Sequence, residues 1–387
     1  MVDERILIVR LSAFGDIIQT LPLLAQVRKN YPTATIGWLV EEAGASILAN
    51  NELIEMLHVS KRKTWLKGLK SPLTFFQTLA EIRSFIAEIK TQRYTVVIDV
   101  QGLLKSAIWG WLAGIPKRIG FTPAREQAFR FYTHTHASFH PVKSRLHATQ
   151  EFLCLLTLLD ATYAIPTVEA LAYPLFQQAE ATLPFKAIDF LPESWLTERV
   201  EQRIIALAPC TAWKSKQWGA EQWVALAGLL INADYKVVWL GAKADEPWFA
   251  SIWQGMAEKT EAVQAQAISC VGKTDFQQLY QLFSFIDCLV GADSVAFHLA
   301  NAKARNSQHS APKLVGLFGA TKPTRTGATF LPAEAVATML QTVEALPCMP
   351  CHQRKCKLTV KPMACMQGIS PQTVFESVEQ LLLKQTL

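Results

Sequence analysis

Two stretches of the chain about 280 residues apart, SAFGDIIQTLPLL from Ser12 to Leu24 and VGADSVAFHLANA followed by LVGLFGATKPTRTG from Val290 to Gly327, share one pattern. Each follows an apolar, β-rich run, ILIVRL before the first and FIDCLV before the second, and each opens into apolar residues at helical spacing. Polar groups therefore stand where a parallel strand hands over to a helix. Such junctions favour anions, because the first backbone N–H groups of the helix have no partner and the helix dipole is positive there. One early and one late junction of this kind imply an α/β chain with two Rossmann-like domains facing each other across a cleft, an architecture suited to moving a group between two bound substrates. At 387 residues the chain is long enough to give each domain its own core.

The intervening sequence alternates between the two periods. RILIVRL, ATIGWLV and YTVVIDV are read as strands, with IIQTLPLLAQVRKN and PLTFFQTLAEIRSFIAEIK as amphipathic helices; RIIALAPC and YKVVWLGA then flank the helical QWVALAGLLINA. Ala161 to Arg203 carries Pro166, Pro174, Pro184 and Pro192 without a clear period and is taken as the connection between domains. The expected division is an N-terminal domain over 1–185, a linker over 186–200, a C-terminal domain over 201–345, and a cysteine-bearing loop with a last helix, PQTVFESVEQLLLKQ, over 346–387; that helix is a candidate to return to the first domain. The chain is half apolar and 18% charged, which excludes a disordered polypeptide. No charge-free run approaches the ~18 to 20 residues of a membrane span, and MVDER leads directly into a strand with no signal-peptide pattern. A cytoplasmic location is expected.

Asp16 follows Gly15 at the first junction, where a small residue lets a ligand approach the backbone. It suits either a carboxylate that complements the helix dipole or a general base aimed at a substrate; a base held in its charged form there accepts the proton late, as an oxocarbenium-like substitution at a sugar carbon requires. In the second half, Thr211 and Lys216 lie in APCTAWKSKQWGAEQW between a strand end and a helix, where a lysine is a mobile charge for phosphate or a solvated loop residue. Asp293 and Ser294 begin the next helix with His298 one turn on, suited to a ligand site or to an N-cap with a satisfied core histidine. GATKPTRTG adds Gly319, Thr321, Arg325 and Gly327, a Gly/Thr loop with one arginine that reads as a phosphate clamp; neither a Walker A spacing nor G-x-G-x-x-G occurs.

These motifs, in the order SAFGD, KRKTW, DVQGLLKSA, a threonine and K-x-W loop, D-S-x-x-x-H and FG-x-T-x-P-x-RTG, resemble the family 9 glycosyltransferases, the lipopolysaccharide heptosyltransferases, over nearly the whole chain. DVQGLLKSAIWGWLAGIPKRIGF is most similar to the type I enzymes. The resemblance implies a GT-B fold and inverting transfer of heptose from ADP-heptose to the Kdo region of the lipopolysaccharide inner core, with no cofactor beyond the nucleotide sugar. It implies that Asp16 is the catalytic base and that Thr211, Lys216, Asp293, Ser294, His298, Gly319, Thr321 and Arg325 hold the donor, with Thr274 and Asp245 or Glu246 near the adenine and ribose. Lys216 and Arg325 would neutralise charge on the departing ADP, so no metal is demanded. The chain departs from the family at Val295, where glycine is usual, at Lys322, where GATKP replaces GPTDP, and in the longer polar connection KARNSQHSAPK. A different nucleotide-sugar donor or glycan acceptor on the same fold, and a catalytically silent protein binding anionic glycolipid, are the alternatives.

Charge is uneven. Residues 1–150 hold 19 Lys and Arg against 11 Asp and Glu. Lys61, Arg62 and Lys63 precede Trp65, and Lys105, Lys117, Arg118, Arg125, Arg130, Lys143 and Arg145 face only Glu126 among acids over 105–145. Such runs suit a solvated face or, with Lys61, Arg62, Lys63, Arg118 and Arg125 as contacts, an anionic glycolipid acceptor at the inner face of a membrane to which the protein would be peripheral. No nucleic-acid-binding module accompanies them. Cys348, Cys351, Cys356 and Cys365 follow C-x2-C-x4-C-x8-C, open to structural zinc, free thiols or a conditional disulfide, and no catalytic role is assigned to them. A monomer is expected.

Overall fold

The structure is a computed structural model that describes residues 4–137, 146–176, 186–197, 202–307, 311–330, 336–344 and 346–383. Lys143 and Arg145 lie outside the described residues. The chain divides into two compact units, Met1–His140 with Ala148–Gln178 and Pro141–His147 with Ala179–Leu387. The helical turns Ala187–Asp189 and Glu193–Thr197 and the cysteine-bearing segment are thus counted with the second unit.

The first unit is built on six parallel strands in the order β3-β2-β1-β4-β5-β6: β1 Arg5–Val9, β2 Thr35–Glu41, β3 Met56–Ser60, β4 Val96–Asp99, β5 Lys117–Thr122 and β6 His134–Ala137. Ile6 pairs with Ile36 on one side and Val96 on the other. Ile6, Leu7, Ile8 and Val9 are fully buried, as a central parallel strand covered on both faces must be. Burying each such side chain contributes ~1.5 to 3 kcal/mol, so the central strand holds its register firmly. The second unit repeats the plan as β12-β11-β10-β7-β8-β9: β7 Ile204–Ala208, β8 Lys236–Trp239, β9 Ala267–Ser269, β10 Cys288–Ala292, β11 Lys313–Leu317 and β12 Ala337–Leu340, again all parallel. Its core gathers Trp218, Trp223 and Trp239, whose rings meet edge to face, and the Trp218 indole donates to the Ile369 carbonyl at 3.0 Å.

The last helix, Pro371–Leu383, does not return to the first unit. Val374, Val378, Leu381 and Leu382, spaced to share one helix face, enter the core of the second unit, and the Arg203 guanidinium donates to the Leu382 carbonyl at 2.9 Å. A helix with that apolar stripe needs a sheet face to cover, and the one beside β11 and β12 is where it is found.

In an open parallel sheet, ligands bind beyond the carboxyl ends of the strands where the strand order reverses. The reversal falls between β1 and β4 in the first unit and between β7 and β10 in the second. The polar junctions singled out in the sequence follow β1 and β10.

Candidate active site

In the second unit the junction after β10 is organised by Asp293, whose side chain is 4% exposed. Its Oδ2 accepts from Lys216 Nζ at 2.7 Å, Thr321 Oγ1 at 2.6 Å and Thr326 Oγ1 at 3.1 Å, and its Oδ1 accepts from His298 Nε2 at 2.9 Å. Burial by itself would raise the Asp293 pKa, but the Lys216 ammonium beside it and the contacts from His298 outweigh burial and hold it well below the usual carboxylate range. The donors come from three loops: Lys216 after β7, His298 from the Val295–Asn306 helix after β10, and Thr321 and Thr326 after β11. Four residues lying up to 77 positions from Asp293 in the sequence are thus tied to its one carboxylate. Thr326 was not among the residues picked from the sequence.

Ser294 occupies the N-cap of the Val295–Asn306 helix with extended backbone, yet its side chain makes no capping bond, and its buried Oγ has no hydrogen-bond partner among the described residues. Lys216 Nζ lies between that junction and the Trp213 ring, 4.5 Å from the ring centroid, and Thr211 Oγ1 donates to the Trp213 carbonyl at 2.8 Å, fixing the turn that carries the lysine. Arg325 is half-buried in the short Pro323–Thr326 helix. His147, which the sequence analysis passed over, is buried in the same unit; its Nε2 donates to the Gly327 carbonyl at 3.2 Å. Desolvation pushes its pKa down to about 4, partly opposed by the Gly327 carbonyl, with His298 and Arg325 close enough to add to the lowering. A lone histidine in a region of uncertain pattern carries no signal of this placement.

The remaining donor-side candidates separate. Glu246 begins the Glu246–Ala257 helix after β8 and Thr274 lies in the loop after β9; between them Gly272, at φ +74°, packs so that a Cβ would come 2.6 Å from Glu246 Oε1. Among the described residues neither Glu246 nor Thr274 is hydrogen-bonded to Asp293. Gly319 has little room for a side chain: a Cβ there would come within 2.7 Å of Cys365 Sγ and 2.8 Å of Met366 Sδ. The cysteine-bearing segment packs on these same loops. Ser215 N donates to the Arg354 carbonyl at 3.3 Å and its Oγ to the Gln353 carbonyl, while His352 N donates to the Ala320 carbonyl at 2.8 Å. Cys348, Cys351, Cys356 and Cys365 are all free thiols. Among the described residues no group of three or more His, Cys, Asp or Glu is arranged to hold a metal ion, so the zinc option finds no geometric support. Burial, with Cys351, Cys356 and Cys348 nearby, pushes the Cys365 thiol up to about 11, which makes it a poor nucleophile and leaves it a packing group.

In the first unit the loop after β1 carries Arg10, Ser12 and then Asp16 in the third position of the Phe14–Asn30 helix. The Asp16 carboxylate is 45% exposed, accepts from the Ala13 N–H at 3.2 Å and pairs with Arg10 Nη2 at 2.8 Å. Arg10 is itself buried: Nη1 donates to the Val100 carbonyl at 2.9 Å and the guanidinium lies over the Phe152 ring. One oxygen of an exposed carboxylate is therefore oriented from below by a fixed cation. The loop after β4 supports it. Gln101 Oε1 accepts from the N–H groups of Leu11 and Ser12 at 2.8 and 3.2 Å, and Lys105 Nζ bridges Ser12 Oγ at 3.1 Å and Glu41 Oε1 at 3.0 Å. Asp99 anchors that second loop, accepting from Gln101 N, Gly102 N, Ser106 Oγ and Tyr132 OH; burial raises its pKa despite these bonds. Arg10, Glu41 and Gln101 were missed because strand ends and a lone glutamine look ordinary in sequence.

The basic candidates also divide. Arg62 Nη1 stands 3.9 Å from Glu41 Oε1, beside Lys105 and the Ser12 loop, and Lys61 and Lys63 are exposed next to it. Arg125 is exposed at the start of the Arg125–Phe131 turn. Arg118 instead turns into the protein, with Nε donating to the Phe131 carbonyl and Nη1 to the Ile115 carbonyl, both at 2.7 Å. Its guanidinium braces β5 against the following turn.

Known proteins share the sequence pattern and the fold of this chain. A sequence profile of glycosyltransferase family 9 (heptosyltransferase) matches residues 82–361. The chain is 27% identical to lipopolysaccharide heptosyltransferase 1 of Pseudomonas aeruginosa, covering 98% of each, and 25% identical to lipopolysaccharide heptosyltransferase 1 of Escherichia coli K12, covering 82% of this chain and 89% of that one. Among solved structures it is similar to E. coli heptosyltransferase WaaC with ADP, with TM-score 0.70, 21% identity, and 97% and 99% of the two chains covered. With two Rossmann-like domains of the GT-B class, each built on a parallel sheet and each carrying a polar junction where its strand order reverses, the chain belongs to glycosyltransferase family 9, the heptosyltransferase family, and is a glycosyltransferase.

Proposed function

We propose that this enzyme transfers heptose from ADP-heptose, with inversion at the anomeric carbon, to the Kdo region of a lipopolysaccharide inner core, acting from the cytoplasmic side as a peripheral protein. The observation that carries the donor half of this reading is the Asp293 group: a buried carboxylate holds Lys216 beside the uncapped Ser294 end of a long helix, so a cation and free backbone N–H groups are aimed at one spot. A diphosphate arriving there meets donors already oriented, and Lys216 and Arg325 oppose the charge that grows on ADP as the glycosidic C–O bond breaks. Asp16, positioned by Arg10, accepts the proton of the acceptor hydroxyl as that oxygen bonds to the anomeric carbon. Lys61, Arg62, Lys63 and Arg125 attract the anionic acceptor. The names of the relatives support heptose and lipopolysaccharide as the substrate pair.

The test is direct. The purified protein is given ADP-heptose, other ADP-sugars and UDP- or GDP-sugars in turn with a Kdo-bearing lipid acceptor, and the lipid product is weighed by mass spectrometry. A gain of one heptose, with ADP-heptose giving the highest kcat/KM, is expected. Lys322 and Val295 are the residues here that would accompany a different donor, and faster transfer from another nucleotide sugar would replace ADP-heptose in this reading.

A further inference from the structure

Helices Arg62–Gly68 and Phe75–Thr91 form a hairpin whose tip neither candidate site uses. Its inner side is anchored. Trp65 is buried against Phe85 and Trp109, with ring centroids 5.2 and 5.9 Å away, and its indole donates to Glu81 Oε2 at 3.1 Å. The helices meet closely at Gly68, where a Cβ would come 2.2 Å from Thr78 Oγ1. The turn between them is bonded throughout: Lys70 N to the Lys67 carbonyl, Ser71 N and Thr74 Oγ1 to the Gly68 carbonyl, and Thr74 N to the Ser71 carbonyl, all within 3.2 Å.

The outer side of this fixed tip is apolar and basic at once. Leu73 is 94% exposed and Phe76 81%, with Leu66 and Phe75 partly exposed as well, and the Phe75 and Phe76 rings meet edge to face. Single exposed apolar side chains are ordinary, but four within residues 66–76 on a structured turn are not a scatter. From Glu55 to Glu81 no acid interrupts the chain, while Lys61, Arg62, Lys63, Lys67 and Lys70 supply cations. An acidic protein surface would answer the lysines but would need a pocket for Leu73 and Phe76; a bilayer offers an anionic headgroup layer with apolar chains beneath it, matching both.

We propose that the 66–76 tip docks the protein onto an anionic bilayer, with Leu73 and Phe76 entering the headgroup–acyl boundary and Lys67 and Lys70 lying among lipid phosphates. This deepens the membrane-borne acceptor reading given above, but the docking is measured without sugar, so failure of heptose transfer and failure of docking are separate results. The experiment is flotation of the full chain with vesicles of phosphatidylethanolamine and phosphatidylglycerol, against vesicles of phosphatidylcholine alone. Binding to the anionic vesicles that weakens with added salt is expected. The Leu73→Ser, Phe76→Ser double variant should lose about tenfold or more in partitioning, and Lys67→Ser, Lys70→Ser should abolish the preference for anionic lipid. All four positions are exposed, so thermal melting and ADP binding should stay at wild-type values. Equal flotation of wild type with both vesicle types, or wild-type flotation of the Leu73, Phe76 variant, overturns the proposal. So does self-association or capture of a protein that depends on Leu73 and Phe76 in a chain that does not float.

Discussion

His147 makes acid stability a test of how the second unit is assembled. Its imidazole is buried with Nε2–H bonded to the Gly327 carbonyl, and desolvation brings its pKa from the ordinary 6.5 down to about 4. As pH falls below 6.5 the unfolded chain takes a proton that the folded chain refuses, so stability is lost through that window and the loss is complete once the folded form also protonates near pH 4. At ~1.4 kcal/mol for each pH unit, the displacement amounts to about 3 kcal/mol. Asp293, whose pKa is lowered from 3.8, contributes stability that fades only below that value, outside this window. The perturbation is His147→Gln, which keeps an N–H for the Gly327 carbonyl but does not titrate. The assay is urea unfolding of both proteins between pH 7 and pH 4, followed by tryptophan fluorescence, with Trp218, Trp223 and Trp239 reporting on the second unit. Other titrating groups, Asp99 among them, act equally in both proteins and cancel in the difference. The wild type should lose about 3 kcal/mol more than the variant on going from pH 7 to pH 4. Parallel pH profiles would refute the buried neutral imidazole.

The other predictions concern the chemistry directly. Asp16→Asn should lower turnover by about 100-fold or more while leaving ADP affinity, measured by calorimetry, near wild type, because only the proton acceptor is removed; undiminished turnover reduces Asp16 to a helix-end carboxylate. Asp293→Asn should weaken ADP binding and also destabilise the second unit by about 3 kcal/mol, since it leaves the half-buried Lys216 without its counter-charge, and a melt at the wild-type temperature would contradict that. Replacing Lys61, Arg62 and Lys63 together by Ser should raise the acceptor KM at low salt and flatten its salt dependence without changing ADP affinity, because exposed charges act over a Debye length of about 8 Å; an unchanged acceptor KM at low salt would place acceptor recognition elsewhere, at residues such as Arg125.

Much of the architecture is written in local patterns that one strand or helix satisfies alone. Residues 6–9, 96–98 and 204–208 are apolar throughout because central parallel strands are covered on both faces, and Asp16 announces itself by standing three residues into a helix after a strand. Edge strands give no such signal: β6, His134–Ala137, is mostly exposed, so its side chains need not be apolar and its sequence resembles a loop. The candidate site was legible as a set of residues but not as an arrangement. That Asp293 would gather Lys216 from 77 residues away and Thr321 and Thr326 from 28 and 33, or that Gln101 would bond to Leu11 and Ser12 across 90 and 89, depends on β10 lying between β7 and β11, and β4 beside β1. Strand order is decided by which apolar faces pack together, a property of the whole sheet that no local window contains. The same cause places the last helix on its own unit, turns Arg118 inward, and makes Gly319 a seat for Cys365: each answers to a neighbour that only the folded chain supplies.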